Sequence, residues 1–327
     1  MTKTISRRTL GTIAAVCLAG SLAGCGIGET NPAAGTGDSG QITVLRAPVF
    51  FEPLMIAKRQ GFFKEEGLNV KIVDGGTAAQ QVAQLVSGKV NIAATGGVST
   101  IAAVAKGMPI KAFMGNQNAT PRPVTSGILV KKDSPIRDYG DLAGKTIGLQ
   151  GLKETTNLGS LMALEDHGVD PGSVKFVQLP LPNLNDAVVK GQVDAAYNIG
   201  SFYPTGIQMG LRTIGSPGNT YLKGGPNAWY VSSDEFLSTR REDIKRFVAA
   251  MTKATEYAIK HPKMVQDLQI EFTDQDPEYV RSAPIQKLAT KIDKAGTTTT
   301  IKGLNKYRFI SADVSYGAVV WPDAPQK

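Results

Sequence analysis

The chain is poor in the side chains that carry most covalent and metal chemistry in proteins. Its 327 residues include two cysteines and two histidines, and both cysteines, Cys17 and Cys25, lie near the N-terminus. The histidines, His167 at a predicted helix end and His261 at the start of another helix, are expected at the surface. No nucleophile–base pair, metal-ligand cluster or phosphate loop is recognisable in the sequence. The sequence therefore predicts a protein that needs no metal or cofactor and performs no chemistry.

Long hydrophobic runs are also scarce, and the one candidate for a membrane segment is the run 13–19. It follows three basic residues and is too short to span a bilayer. We interpret residues 1–24 as a signal peptide, in which residues 6–10 (SRRTL) are compatible with either the twin-arginine or the Sec export route. Residues 22–25 (LAGC) resemble the lipobox of bacterial lipoproteins, which implies lipidation of Cys25. A chance cysteine beside a plain cleavage site is the alternative.

The segment 25–40 is rich in Gly, Thr, Ser, Asn and Pro, and it has too few apolar residues to bury a core. We interpret it as a flexible tether that follows the lipidated Cys25. With Cys17 removed and Cys25 acylated, the folded part would hold no free thiol, which excludes disulfides and cysteine metal sites. The chain is thus expected to be exported and anchored by lipid, in the periplasm or at the outer face of the cytoplasmic membrane.

The excess of positive charge is small. The whole chain carries a formal net charge of +8, and removing the signal peptide leaves 33 basic and 28 acidic residues, or +5, because 36 basic residues lose three. The basic residues are spread along the chain and are not interleaved with aromatic residues, so a nucleic-acid partner is not expected. A mild preference for anionic ligands or lipid headgroups is compatible with this charge.

The most informative feature that is present is a repeat. Residues 65–73 (EEGLNVKIV) lead through a helical stretch to residues 88–94 (GKVNIAA), and the same order recurs between residues 165–177 and 191–197. Two copies about a hundred residues apart predict two α/β lobes of similar build, each of ordinary domain size. Paired lobes leave a cleft between them.

Strand and helix patterns alternate along both copies, which predicts parallel sheets with helices on their faces. The polar, proline-bearing stretch 116–123 is predicted to cross between the lobes, and residues 126–131 and 229–231 are predicted to be the crossing and the return strand. The first lobe is therefore expected to comprise residues 41–123 and 230–327, and the second lobe residues 124–229. After the return strand the sequence predicts helices over 240–260, 261–271 and 277–288.

Five motifs in the right order resemble the substrate-binding proteins of nitrate, sulfonate and taurine ABC transporters. They are residues 53–70 (PLMIAKRQGFFKEEGLNV), 87–90 (SGKV), 106–111 (KGMPIK), 141–148 (DLAGKTIG) and 191–195 (GQVDA). The likeness covers roughly residues 42–231. One departure is Asn91, where the family usually carries Asp, as at Asp194 in the second copy. Little consequence is expected, because this position ends a helix-to-strand turn.

This resemblance implies an α/β fold of the type II periplasmic-binding-protein kind. Each lobe would be a mixed, mostly parallel sheet flanked by helices, and two hinge strands would join the lobes. Such a clamshell closes on a small molecule because the ligand contacts both lobes only in the closed state. The implied partners are a small-molecule ligand, an ABC permease and its ATPase subunit, and the implied state is a monomer. A sensor that hands the closed state to a receptor kinase would leave the same sequence pattern.

Ligands of open parallel sheets lie beyond the carboxyl ends of the strands, where loops lead into helix N-termini. This rule, with the crossing segments, selects the candidate binding residues Phe50, Phe51, Gly76, Thr77, Thr95, Gly96, Gly97, Ser99, Arg122, Thr155, Thr156, Asn198, Tyr203 and Trp229. Free N–H groups near Thr77, Ser99 and Thr156 favour an anionic head group. The alternative for each of these three side chains is an N-cap, and the two roles are compatible.

The candidate aromatic residues Phe50, Phe51, Tyr203 and Trp229 are predicted to wall the pocket of an organic ligand, with core packing as the alternative. Arg122 is either a partner for a sulfonate or carboxylate or a surface residue. Aromatic walls favour an organic anion, such as an alkanesulfonate or taurine, over bare nitrate. A neutral heterocycle such as a thiamine-precursor pyrimidine is the second hypothesis, and a pyrimidine-making enzyme of the same fold is the third.

Overall fold

The computed structural model describes residues 40–122 and 124–327. Its strands are β1 (Ile42–Arg46), β2 (Val70–Asp74), β3 (Ile92–Thr95), β4 (Ile110–Asn118), β5 (Ser126–Lys131), β6 (Thr146–Leu149), β7 (Lys175–Gln178), β8 (Ala195–Ile199), β9 (Leu211–Gly215) and β10 (Pro226–Ser233). Its helices are α1 (Glu52–Arg59), α2 (Phe62–Glu65), α3 (Ala78–Val86), α4 (Gly97–Ala105), α5 (Thr155–Asp166), α6 (Leu184–Val189), α7 (Phe202–Gln208), α8 (Pro217–Tyr221), α9 (Asp234–Thr239), α10 (Arg241–Lys260), α11 (Pro262–Phe272), α12 (Pro277–Ser282), α13 (Lys294–Lys306) and α14 (Tyr316–Val319).

The strands form two five-stranded sheets with the same topology. In the first sheet the order is β2-β1-β3-β10-β4, and in the second it is β7-β6-β8-β5-β9. The first three strands of each sheet are parallel, and the fourth is antiparallel to both of its neighbours. The predicted α/β fold, with two mixed sheets flanked by helices, is confirmed.

Each sheet receives its fourth strand, β10 or β5, from a chain segment that has just left the other sheet. Edge strand β4 of the first sheet is followed by β5 inside the second sheet, and edge strand β9 of the second is followed by β10 inside the first. The chain therefore crosses from one sheet to the other twice, between β4 and β5 and between β9 and β10. The return to the first sheet begins at Pro226, ahead of the boundary at residue 230 expected from the sequence.

The repeated motif has the same local role in both copies. The side-chain oxygen of Asn91 accepts a hydrogen bond from the backbone N–H of Thr43, at 2.8 Å. Asp194 accepts the equivalent bond from the N–H of Thr146, also at 2.8 Å. An amide and a carboxylate serve equally because only an acceptor oxygen is required. The departure at Asn91 thus changes no contact of this turn.

Helices cover both faces of the first sheet, and β10 shows why. Because side chains of a strand alternate between faces, Tyr230 points into the core beneath α10, while Trp229 and Val231 point into the core beneath α4 and α13. Phe247 of α10 contacts the ring of Tyr230 edge-on, with centroids 5.5 Å apart. The C-terminal helices are thereby fixed to the sheet that the N-terminal segment begins.

The C-terminal region departs from the sequence prediction in two places. The helix expected over 277–288 ends at Ser282, because Pro284 forces the preceding Ala283 into an extended conformation, with ψ at 140°. A thirteen-residue helix, α13, lies where no element was predicted.

Nowhere in the described ranges is there a helix long and apolar enough to cross a bilayer. The predicted signal peptide, the lipidated Cys25 and the tether up to residue 39 lie outside the residues that the structure describes.

Candidate ligand-binding site

A cavity of about 1110 Å³ lies between the two lobes. Its walls come from the loops that follow the parallel strands, chiefly residues 46–50 after β1, residues 94–96 at the end of β3, and residues 178–182 around the end of β7. The connection 272–276 between α11 and α12 adds a further wall. The cavity thus occupies the position where open parallel sheets place their ligands.

The structure brings many of the candidate residues together around this cavity. Those that line it are Phe50, Gly76, Thr77, Thr95, Gly96, Ser99, Thr155 and Thr156. Residues of the first lobe thereby face Thr155 and Thr156 of the second lobe.

Three candidate aromatic residues belong to the core instead of the cavity wall. Phe51 packs edge-on against Phe272, with ring centroids 5.9 Å apart, and is 1% exposed. Tyr203 is buried in the core of the second lobe, against β5. Trp229 is fully buried beneath α4 and α13. The core-packing alternative therefore holds for these three rings.

Three further candidates also lie off the cavity. A side chain at Gly97 would collide with Pro226, since its Cβ would lie 2.3 Å from the proline Cβ, so this glycine serves close packing. Asn198 is fully buried and donates from Nδ2 to Oδ1 of the cavity residue Asn185, at 2.6 Å. Arg122 is exposed at the surface.

The three helix N-termini at the cleft differ in how they are capped. The side chain of Thr77 accepts a hydrogen bond from the N–H of Gln80 at 3.3 Å, so it caps α3. Helices α4 and α5 begin without any side-chain cap. The buried hydroxyl of Thr156 has no partner. The capping role therefore holds for Thr77, whereas α4 and α5 retain free N–H groups toward the cleft.

Glu154 is the main feature of the site that the sequence prediction missed. It is the residue before α5, and its carboxyl oxygen accepts a hydrogen bond from Ser99 Oγ of α4, at 3.3 Å. Burial raises the pKa of this carboxyl, and the bond from Ser99 offsets part of the rise. This contact joins the two lobes across the cleft. The signal was present in the sequence, because Glu154 directly precedes the candidate residues Thr155 and Thr156.

Arg46 was missed as well, and it is the single basic residue among the described residues that line the cavity. It ends β1, and its Nε donates to Asp74 Oδ1 at 2.8 Å. Its guanidinium lies 4.7 Å from the ring centroid of Phe51 and 5.1 Å from that of Phe272. Two cation–π contacts and one carboxylate therefore engage this cation.

The remaining polar lining consists of carboxyl groups, which accept hydrogen bonds when ionised, and of amides and hydroxyls, which both donate and accept them. The cavity carries Glu154 and three aspartates, namely Asp186, Asp274 and Asp276. The buried amide oxygens of Gln81, Gln117 and Gln286 line the same cavity and have no partner, and neither the oxygen nor the nitrogen of the Gln275 amide has one. For Gln81 the orientation of the amide is fixed, because its Nε2 donates to the carbonyl of Gly76 at 3.2 Å.

Neither histidine belongs to the cavity. His167 contacts the carbonyl of Ala163 through Nδ1, and His261 stacks on Tyr257 with centroids 3.8 Å apart. Within the described part of the chain, no group of three or more His, Cys, Asp or Glu residues is placed to hold a metal ion.

In sequence, the model of the family described as NMT1/THI5 like matches residues 50–265. A 4-amino-5-hydroxymethyl-2-methylpyrimidine phosphate synthase of Saccharomyces cerevisiae is 26% identical over 236 residues, which cover 68% of this chain and 67% of the yeast protein. The protein of the same name from Schizosaccharomyces pombe is 25% identical over 233 residues, covering 68% of this chain and 65% of that protein.

In structure, this chain is similar to sulfonate-binding proteins. The alkanesulfonate-binding protein SsuA of Xanthomonas axonopodis pv. citri, bound to MOPS, superposes with a TM-score of 0.73 at 17% identity, covering 86% of this chain and 98% of that one. The periplasmic aliphatic sulphonate-binding protein SsuA of Escherichia coli gives a TM-score of 0.75 at 16% identity, covering 88% and 94%. These neighbours confirm the predicted resemblance in fold.

The prediction that the chain performs no chemistry is corrected by the comparison in sequence. It depended on the scarcity of cysteine and histidine, whereas the relatives in sequence are named as synthases, which are enzymes.

Proposed function

We propose, from the premise that the chain belongs to the NMT1/THI5-like family, that it is an extracytoplasmic solute-binding protein of an ABC importer. The observation that carries this proposal is the cavity of about 1110 Å³ between two duplicated lobes, at the carboxyl ends of both sheets. The lipobox-like residues 22–25 support an anchor through Cys25 at the outer face of the membrane. The partners would be a permease and its ATPase subunit, and this protein would act as a monomer.

The lining favours a nitrogen heterocycle of the aminopyrimidine type as the ligand. Unpartnered amide oxygens and the carboxyl of Glu154 are acceptors, and they call for N–H donors on the ligand. The relatives in sequence are named for a 4-amino-5-hydroxymethyl-2-methylpyrimidine phosphate, which contains such a ring. A neutral heterocycle is thereby favoured over the organic anion.

An organic anion such as an alkanesulfonate is the second candidate, and Arg46 favours it. The side chain of Arg46 is 13% exposed, whereas its partner Asp74 is 80% exposed and can turn to solvent. A sulfonate could then replace Asp74 at the guanidinium. Taurine-like ligands belong to the same class.

Capture would proceed by closure of the lobes. Phe50 and Thr77 approach the ligand from the first lobe, and Thr156 and Gln178 from the second. A ligand that contacts both sets gains those contacts only in the closed state, and this difference in affinity shifts the population toward closure.

The purified chain should unfold at a higher temperature in the presence of its ligand. We expect stabilisation by 4-amino-5-hydroxymethyl-2-methylpyrimidine, the ring named in the relatives. At a free concentration 100 times the dissociation constant, the gain in unfolding free energy is about 2.7 kcal/mol. Taurine and longer alkanesulfonates test the second candidate in the same assay. Absence of any shift across heterocycles, sulfonates, carboxylates and nitrate would contradict solute capture.

Mass spectrometry of the same incubations tests whether the protein converts the heterocycle into a product. A heterocycle that is recovered unchanged after prolonged incubation has been bound and released. Recovery of a new product would show turnover, as the names of the relatives in sequence suggest for those proteins.

A further inference from the structure

The loop before α5 places a carboxyl where a helix N-terminus opens on the cleft. Lys153 adopts a left-handed conformation with φ at 58°, and its N–H donates to Asn157 Oδ1 at 3.0 Å. The side chain of Glu154 then folds over Gly151, whose Cβ, if present, would lie 3.0 Å from Glu154 Cδ. The loop thereby fixes the carboxyl at the start of the helix.

No cation lies opposite this carboxyl in the described structure. Its one hydrogen-bond partner is Ser99 Oγ, and the basic residue of the cavity, Arg46, is engaged by Asp74. The buried hydroxyl of Thr156 and the buried amide oxygen of Gln81 also lack partners and line the same cavity. A carboxyl that is taken from water without a cation needs a partner that donates hydrogen bonds.

We propose that Glu154 is the specificity-determining residue of the cleft, and that it pairs with the N–C–NH₂ edge of an unphosphorylated aminopyrimidine. The inference rests on the proposed solute-binding function. The ligand class that it assigns has no phosphate or sulfonate group near the start of α5. The free N–H groups at the start of α5 would otherwise attract such an anion.

The pairing is chemically complete. A carboxyl group and the N–C–NH₂ edge of the ring share one proton across two parallel hydrogen bonds. Either the carboxylic acid donates to the ring nitrogen, or the protonated ring donates to the carboxylate. In both cases the exocyclic amine donates to the second carboxyl oxygen. The ligand would take the place of Ser99 as the donor to Glu154.

In its carboxylate form, the same group acts against anions. A phosphate or sulfonate bound to the free N–H groups of α5 would lie beside Glu154, and like charges at such short range repel each other. Selectivity then comes from an attractive partner for the right ligand and a repulsive one for its phosphate ester.

Titration calorimetry on the purified full chain tests the inference first without any variant. The probes are 4-amino-5-hydroxymethyl-2-methylpyrimidine, its phosphate ester and the same ring without the exocyclic amine. The aminopyrimidine should bind about tenfold more tightly than either of the other two, because each of them loses a charge-assisted hydrogen bond or meets a like charge.

Glu154→Ala should then weaken binding of the aminopyrimidine by about tenfold and strengthen binding of the phosphate ester. Alanine offers no hydrogen bond to the ring, whereas a glutamine would keep both, and alanine no longer repels the ester. Glu242→Ala, on the exposed face of α10 where Glu242 is hydrogen-bonded to Lys245, is the matched control and should bind all three probes like the unchanged chain. Unfolding curves without ligand verify that both variants fold.

The outcomes separate this inference from the proposed function. If Glu154→Ala binds the aminopyrimidine as tightly as the unchanged chain does, the inference fails and solute capture stands. Equal affinity of the unchanged chain for the ring and its phosphate ester also overturns the inference. If the unchanged chain binds none of these probes but binds alkanesulfonates, the assignment of Glu154 fails while capture stands. If it binds neither class, the proposed function fails with it.

Discussion

Glu52 is a second carboxyl that the fold removes from water, this time inside the first lobe. It is 4% exposed, and Gln269 Nε2 donates to its Oε1 at 2.5 Å. Burial raises the pKa of Glu52 in spite of this hydrogen bond. The nearby hydroxyl of Tyr230 is buried without a partner, and burial, with a smaller contribution from Glu52, raises its pKa as well. The core beneath α1 therefore favours a protonated Glu52.

Glu52→Gln should make the protein more stable at neutral pH. A carboxyl with a raised pKa binds its proton more tightly in the folded state, so the unfolding free energy falls as the pH rises from the ordinary value of 4.5 through the raised pKa. Glutamine has no proton to lose and escapes this loss. Urea unfolding of the variant and the unchanged chain should therefore differ at about pH 7.5 and coincide at about pH 4.

Glu242→Gln serves as the control for this measurement, because the hydrogen bond from Lys245 lowers the pKa of Glu242. Its carboxylate is favoured by folding, so the substitution should give no gain in stability at neutral pH. A pH-independent difference between Glu52→Gln and the unchanged chain would contradict the assignment of a raised pKa to Glu52.

At the level of single residues, the sequence located the binding loops but not the direction of each ring. The loops after β1, β2, β3 and β6 were predictable, because the carboxyl ends of parallel strands share one edge. Ala228 lines the cavity, whereas its neighbour Trp229 points into the core. A shift of one residue along a strand reverses the face, so register decides which ring meets the ligand, and composition does not reveal register.

Helix α13 was not predicted from the sequence. Its thirteen residues (KAGTTTTIKGLNK) include two glycines and four threonines, which favour helices poorly. The helix forms because its buried side, with Thr297, Thr300 and Leu304, packs on β10, α4 and α5. Gly296 permits the closest approach, since a Cβ there would lie 2.1 Å from the carbonyl carbon of Gly224. Tertiary packing thus overrides the weak local preference.

Two alanine substitutions on α13 should have opposite effects. Gly296→Ala forces a methyl group against the backbone of Gly224 and should lower the unfolding free energy by about 1–3 kcal/mol. Gly303→Ala meets nothing nearer than Leu158 Cδ1 at 3.4 Å, and it should raise stability by up to about 1 kcal/mol, because alanine favours the helix. Denaturant titrations measure both. Changes of the same sign would show that the contact between Gly296 and Gly224 does not limit the packing.

The limits of the crossing strand were predicted more accurately than the end of α12, for a physical reason. Strands such as β5, found at Ser126–Lys131 as predicted, are bounded by turn residues that mark their ends. The end of α12 depended on Pro284, a breaker that the apolar periodicity up to residue 288 masked. Edge strand β9 was not predicted at all, because its residues Leu211–Gly215 are only partly buried and carry little pattern.

On the scale of the whole molecule, contacts on several sides hold the lobes together. Ser99 and Glu154 meet within the cleft, and the side chains of Gln208 in α7 and Ser282 in α12 are hydrogen-bonded beside it. Away from the cleft, Lys306 at the end of α13 pairs with Glu165 of α5 at 2.6 Å. These are polar contacts that water can replace, which suits a joint that opens and closes.

Small-angle scattering should therefore show a larger radius of gyration for the ligand-free chain than for the chain saturated with its ligand. Opening hydrates the polar walls of the cleft, and the ligand restores contacts to both lobes in the closed state. The matched sample contains a ligand-sized solute that gives no thermal stabilisation. A curve that is identical with and without a stabilising ligand would contradict capture by closure.

The position of β10 also sets the order in which the halves of this protein can be completed during synthesis. Every strand of the second sheet is contained in residues 126–215, whereas the first sheet lacks the strand between β3 and β4 until residues 226–233 have been made. The lobe that the ribosome starts first is therefore the one that finishes last. A nascent chain must keep β1 to β4 out of wrong pairings while the later lobe folds.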